Sequence, residues 1–279
     1  MDEVERVPES ASIIAAPILD GKDHAEPSAF TPESLLRESR RQKGLEVTSV
    51  PRTCVLDPDG DITRHLVASG RAHRDPDWAC YHTDLEVVDD GEIRYGIIGG
   101  AVGASFAVLV AEELFASGCT LLLSVTSAGQ ISGDATPPYF VLIDRALRDE
   151  GTSYHYMAPS RYAEADPMLL ERLEGALTAI GPAIERGSTW TTDAPFRETA
   201  STIEARRSEG ILAVEMEAAA LYSLASARGY AVVCFAHVTN QMGQTDLDFE
   251  KGEASGATDA LQVIEATIAA LERGNPTSA

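Results

Sequence analysis

The stretch Glu92–Gly129, EIRYGIIGGAVGASFAVLVAEELFASGCTLLLSVTSAG, decides the fold of this chain. Its opening, EIRYGII, is a short apolar run that breaks at a glycine-rich turn, as a buried strand does when the chain must reverse. SFAVLVAEELFASG then carries good helix formers up to Gly118, which can close a helix in a left-handed conformation. CTLLLSVTSAG is a second continuous apolar run ending in small polar residues. Strand, helix, strand with a helical crossover makes the two strands parallel, so the stretch is a βαβ unit.

Working outward, PYFVLIDRAL reads as another strand and PMLLERLEGALTAIG as an amphipathic helix. ILAVEMEAAALYSLASARGYAVVCFAHVTN repeats the order strand, helix, glycine, strand, and ATDALQVIEATIAALERG is a closing amphipathic helix. Upstream, Thr31 caps, Pro32 starts and Glu33 charges a helix over Pro32–Lys43. TCVLDPDGDI follows as an apolar segment broken by a turn. No repeat, low-complexity tract or proline-rich linker divides the chain. The expected fold is α/β, a single domain over residues 11–274 with a central mixed, mostly parallel twisted sheet flanked by helices. The polar, proline-bearing ends 1–10 and 275–279 are expected to be poorly ordered.

The 279 residues carry 44 acidic and 22 basic side chains, a formal charge of −22. That field opposes nucleic-acid phosphates and anionic membrane surfaces, so neither is an expected partner. Cys54, Cys80, Cys119 and Cys234 form no CxxC pair and sit mostly in apolar runs, which predicts buried free thiols and no metal site. The opening MDEVERVPES is unlike a secretory leader, and no apolar run approaches the length of a membrane span. A cytoplasmic protein is expected.

Ligands of open α/β sheets bind beyond the carboxyl ends of the strands. GGAVGAS (Gly99–Ser105), TSAGQ (Thr126–Gln130) and VEMEAA (Val214–Ala219) fall there. Gly100 and Gly103 permit close backbone approach to a ligand, although the spacing is neither GxGxxG nor a P-loop. Glu215 and Glu217, two apart on extended backbone, face opposite sides and need not form a catalytic pair. Both serve a helix N-terminus on one reading; on the other, one carboxylate accepts hydrogen bonds from the adjacent hydroxyls of a ribose.

GILAVEMEAAALYSLASARG resembles the signature of the nucleoside phosphorylase-I family, which includes purine nucleoside phosphorylases, uridine phosphorylases and several nucleosidases. The likeness runs from about Cys54 to Gly274, with GGAVGAS, SVTSAGQI, DEGTSYHY and TTDAPFRET in the family's order. The resemblance implies that Glu217 holds the ribose diol and that Met216 packs on the sugar. It implies that Ser127 and Gly100 lie beneath the substrate, with Glu215 counted in the substrate site as structural support. Phe196 would stack on the base, Arg197 would reach the base or an anion, and His155 and Tyr156 would lie near the sugar's 5′ end. Asn240 and Gln241 would define the base, with Glu217, Asn240 and Arg197 as the catalytic set. A homo-oligomer, dimer or hexamer, is implied by the resemblance alone.

Two departures bear on chemistry. The family's Gly-Asp-x-x-Arg phosphate turn corresponds to LDPDGD (Leu56–Asp61), where three aspartates stand in place of an arginine, and its second arginine position is Ser124. A lost charge-assisted contact of that kind costs about 1.5–3 kcal/mol. After the last strand, the Ser-Asp of purine-specific relatives is replaced by TNQ, and an amide supplies no titrating proton for the leaving base. Uridine phosphorylases share the Asn but follow it with an arginine where this chain has Gln241.

The expected function is cleavage or formation of a ribosyl–nucleobase bond by a phosphorylase-like enzyme, most like uridine phosphorylase. It needs no cofactor, and inorganic phosphate is its possible co-substrate, bound by cations drawn from Arg64, Arg94 or Arg148. A hydrolase on the same fold and a nucleoside-binding protein with a degenerate site are the alternatives.

Overall fold

The computed structural model describes residues 16–133, 135–241 and 251–272. The ends expected to be poorly ordered, 1–10 and 275–279, lie outside the described residues. The elements run α1 Pro32–Lys43, β1 Thr53–Asp57, α2 Asp61–Ala68, β2 Ala72–Arg74, β3 Glu86–Asp89, β4 Arg94–Gly99, α3 Ala104–Ala116 and β5 Leu121–Gln130. They continue β6 Tyr139–Asp149, β7 Tyr162–Glu164, α4 Pro167–Leu177, β8 Ile184–Thr192, α5 Ala200–Ser208, β9 Ala213–Glu215, α6 Ala218–Arg228, β10 Ala231–Gln241 and α7 Ala257–Glu272. Short 3-10 turns occupy Ser153–His155, Pro195–Arg197 and Glu253–Gly256.

Local chemistry sets the ends of α1. The Thr31 side chain accepts the Ser34 amide, Pro32 occupies the first turn, and Gly44 closes the helix at φ 67°. The predicted βαβ unit is β4–α3–β5, but β1 lies between its two strands, parallel to both. Its crossover therefore skips one strand, which the short segment TCVLD fills.

The longest ladders, β5 with β10 and β6 with β8, are parallel, while β10–β6, β5–β9 and the β2–β3–β4 wing are antiparallel. The sheet is less open than expected. Along one edge β5 pairs first with β1 and then, at Gly129 and Gln130, with β9; its other edge belongs to β10. The path β9–β8–β6–β10 returns to β5 and closes a ring. Strands of ten and eleven residues, with register shifts at Val238/Asn240 in β10 and Ile143/Arg145 in β6, are long and bent enough for that closure.

Val55, Leu56, Ile97, Ile98, Leu122, Leu123, Val233 and Phe235 are fully buried between the sheet and its helices. They form the core expected from the continuous apolar runs of β1, β4, β5 and β10. All four cysteines are buried and unpaired. Among the described residues no helix is long and apolar enough to cross a membrane.

Candidate active site

Because β4, β1, β5 and β10 are mutually parallel neighbours, their carboxyl ends emerge together. Asp57, Gly99, Ser127 and Asn240 are thereby gathered along one rim. The backbones meet closely there: Gly100 donates its amide to the Asp57 carbonyl at 3.0 Å with φ at 85°. A side chain on Gly99 would come within 3.2 Å of the Gly60 Cα.

VEMEAA brings the end of β9 and the start of α6 to this rim. Glu215 is buried and its two oxygens are fully used. One accepts the Thr189 and Thr191 hydroxyls; the other accepts the Glu217 and Ala218 amides, both at 2.7 Å. The Thr191 hydroxyl also accepts the Ala219 amide. Glu215 is thus the N-terminal cap of α6, and it has no oxygen left for a substrate. Glu217 differs. One oxygen accepts the Gly103 amide at 2.7 Å, tying α6 to the glycine turn before α3, and Oε2 is buried without a protein partner. Burial, and then the neighbouring Glu215, push its carboxyl up to about 8. Met216, between the two glutamates, is half-buried.

The turn after β1 is built on carboxylates. Asp57 is buried and accepts the Gly60 amide, the Thr63 amide and the Thr63 hydroxyl; burial raises its carboxyl to about 6 against those bonds. The Asp59 carboxylate accepts both the amide and the hydroxyl of Ser127. Asp61 pairs with Arg64 and, at 2.6 Å, with Lys251. Between these aspartates, Thr126, Ser127 and His237 lies a cavity of about 10 Å³, which holds about one water molecule. His237 stacks on Phe140 at 4.5 Å, is 6% exposed, and presents Nε2 with no partner. Burial and then the Lys251 charge push its imidazole down to about 4, so it is neutral. Among the described residues no His, Cys, Asp or Glu group is arranged to hold a metal.

The three arginines considered as phosphate cations are elsewhere engaged. Arg64 is on Asp61, and Arg94 lies at the opposite end of β4 beside Asp89. Arg148 is buried, held by Ser153, Ser160 and the Met157 and Ala158 carbonyls. Ser124 is buried with an unpartnered hydroxyl.

The predicted base-site residues are less closely gathered. Asn240 is buried at the end of β10, its backbone opposite Gly129, and Gln241 extends that ladder opposite Gln130. Phe196 and Arg197 sit on the 3-10 turn after β8, whose Thr191 binds Glu215. Phe196 is 99% exposed, and no described contact joins either residue to Glu217. His155 and Tyr156 instead line a groove with Phe30, Pro32, Leu109 and Glu112 on the outer face of α1 and α3. There Tyr156 donates to Glu112, and His155 meets Lys22. The 3-10 turn that carries them packs on α6, and their groove reaches the first turn of α3 at Ser105, two residues from the Gly103 that binds Glu217.

Several site residues carried no sequence signal. Thr189 and Thr191 alternate with period two in ERGSTWTT, but only pairing of β8 with β9 brings them to Glu215. His237 lies in an apolar strand and looks like a core residue until its pairing opposite Ser127 is known. Asp59 was visible as one of three aspartates, but not as the partner of Ser127.

A profile of the phosphorylase superfamily matches residues 81–269. The chain is 27% identical over 164 residues to a guanosine phosphorylase of Halorubrum lacusprofundi, covering 59% of this chain and 64% of that protein. It therefore spans somewhat less than two thirds of that relative. It is 25% identical over 234 residues to a uridine phosphorylase of Thermococcus kodakarensis, covering 74% of this chain and 83% of that protein. The fold matches the crystal structure of uridine phosphorylase from Vibrio fischeri with a TM-score of 0.68 at 17% identity, over 88% of this chain and all of that one.

Proposed function

Since the chain belongs to the phosphorylase superfamily, we propose that it is a nucleoside phosphorylase-like enzyme that cleaves or forms the ribosyl–nucleobase bond, most like uridine phosphorylase. One observation carries this reading: Glu217 is a buried carboxyl at the rim with one oxygen anchored by the Gly103 amide and the other unpartnered. A buried acceptor without a donor calls for a ligand that supplies one. Adjacent ribose hydroxyls are such donors, and the half-buried Met216 beside Glu217 offers the sugar an apolar surface.

In this reading Glu217 orients the sugar while the anomeric carbon takes on positive character. Asn240, at the end of β10, offers the departing base an amide and no titrating proton, which suits a pyrimidine whose carbonyl accepts charge. Phe196 and Arg197 would reach the base by movement of their exposed turn. The uridine phosphorylase likeness of sequence and fold supports the same choice.

Inorganic phosphate does not fit the rim as it stands. Its usual donors at Ser127 are occupied by Asp59, and the arginines are on other partners.

Uridine, inosine, guanosine and adenosine incubated with the protein, with base release followed by chromatography, test the reading. Release from at least one is expected, and Glu217→Ala should reduce kcat/KM by about 100-fold or more. Unchanged turnover in that variant would remove the ribose assignment.

A further inference from the structure

We infer that the cavity beside the bulge of β6 is a second ligand site, built for an α-amino acid with an apolar side chain. The cavity lies apart from the Glu217 rim and is independent of the reaction proposed there.

The bulge makes the site. Along the parallel pair β6 and β8, Ile143 lies opposite Gly187 and Arg145 opposite Ser188, so Asp144 is an extra residue. Consecutive side chains of a regular strand leave on opposite faces. Here Asp144 and Arg145 both line one cavity of about 440 Å³, together with Glu164 and Ser188. Bulges re-aim side chains in this way, and parallel strands seldom carry one. On β8 the ordinary alternation holds: Thr189 turns to Glu215 and Ser188 to the cavity, which sets the two sites on opposite faces of the strand.

The protein leaves the polar groups of this cavity unsatisfied. The Arg145 guanidinium stands 4.7 Å over the Tyr162 ring and, among the described residues, has no ion-pair or hydrogen-bond partner. Stacking uses the plane of a guanidinium and leaves its N–H groups for a planar carboxylate. Asp144 Oδ1 is buried without a partner, and Oδ2 is 3.7 Å from an Arg186 that Glu174 holds at 2.8 Å. Ser188 is 6% exposed, and its hydroxyl has no hydrogen-bond partner among the described residues. Buried polar groups of this kind call for a ligand.

Charge selects which one. A simple anion drawn to Arg145 would meet Asp144 and Glu164, and a simple cation drawn to those carboxylates would meet Arg145. A zwitterion satisfies both. Asp144 and Arg145 are adjacent in the chain, with Cα atoms about 3.8 Å apart, so the ligand's two charges must also be close, as they are on the α-carbon of an amino acid. Its carboxylate takes the Arg145 N–H groups, and its ammonium donates to Asp144 and Glu164. The cavity exceeds what those groups fill, and Pro167, Leu170 and Leu212 form an apolar wall for the side chain.

Calorimetric titration of the full chain with L-leucine tests the site. One saturable site per chain is expected. N-acetyl-leucine, which lacks the ammonium, and leucinamide, which lacks the carboxylate, should each bind at least about tenfold more weakly, as the loss of a charge-assisted hydrogen bond implies. Arg145→Gln, a change at an exposed side chain, should weaken leucine at least about tenfold and leave leucinamide within about threefold. Asp144→Asn should weaken leucine to the same degree and leave N-acetyl-leucine within about threefold; if it fails to fold, Arg145→Gln decides alone. No saturable binding of L-leucine or L-phenylalanine overturns the inference. So does leucine binding undiminished in Arg145→Gln, which puts the amino acid elsewhere, or equal binding of leucine and its two blocked forms, which removes the zwitterion.

Discussion

Nucleoside binding should release a proton, and Glu217 should be its source. In the free protein this carboxyl is held up to about 8, first by burial and then by Glu215, so at pH 7 it is protonated in about nine molecules of ten. To accept hydrogen bonds from two ribose hydroxyls it must ionise, and those donors favour the ionised form. A carboxyl returned to the ordinary range near 4.5 on binding releases about 0.9 proton at pH 7. Ionising it there opposes binding by about 1.4 kcal/mol, a factor of about ten, and this opposition vanishes above the free-state value. Affinity should therefore rise about tenfold between pH 6 and 7, about fivefold between pH 7 and 8, and level off above. Calorimetric titration with uridine in two phosphate-free buffers of different ionisation enthalpy counts the protons directly. Glu217→Gln, whose side chain does not titrate, should bind more weakly and release none. The same proton count in wild type and Glu217→Gln, or an affinity flat across pH 6–8, would refute the reasoning.

The same raised carboxyl affects stability. The folded protein binds its proton more tightly than the unfolded chain, so this contribution is complete below about pH 4.5 and is lost as pH rises through about 8. Thermal scans should show wild type losing stability relative to Glu217→Gln between pH 5 and 9, and parallel curves would count against it. Glu215→Ala should cost about 3 kcal/mol or more in urea unfolding, because it strips the Glu217 and Ala218 amides of their acceptor inside the protein. Gly256→Ala should destabilise by more than about 2 kcal/mol: φ is 83°, and the new methyl would lie 2.2 Å from His237 and 2.6 Å from the Lys251 carbonyl. Adding His237→Ala should restore only part of that loss, because the carbonyl remains. Phe196→Ala should leave stability within about 0.5 kcal/mol, given its 99% exposure, while raising nucleoside KM if its turn closes on the base.

By itself the sequence determined the parts whose causes are local. Thr31, Pro32 and Glu33 mark α1 because capping, the φ of proline and the charge of the first turn act locally. The apolar runs of β4, β5 and β10 announce buried parallel strands because burial on both faces leaves no alternation. VEMEAA could be singled out because two acids before an alanine-rich helix exceed what its N-terminus requires. The division of labour between those acids was decided only by tertiary structure. Pairing of β8 with β9 brings Thr189 and Thr191 onto Glu215 and makes it a cap, and docking of α6 on the glycine turn leaves Glu217 with an open oxygen. Likewise, LDPDGD shows missing arginines, but only the parallel run of β1, β5 and β10 sets Asp59 on Ser127 opposite His237. A hydrogen-bond partner distant in sequence leaves no periodicity or spacing to read, because strand order and register, not local preference, choose it.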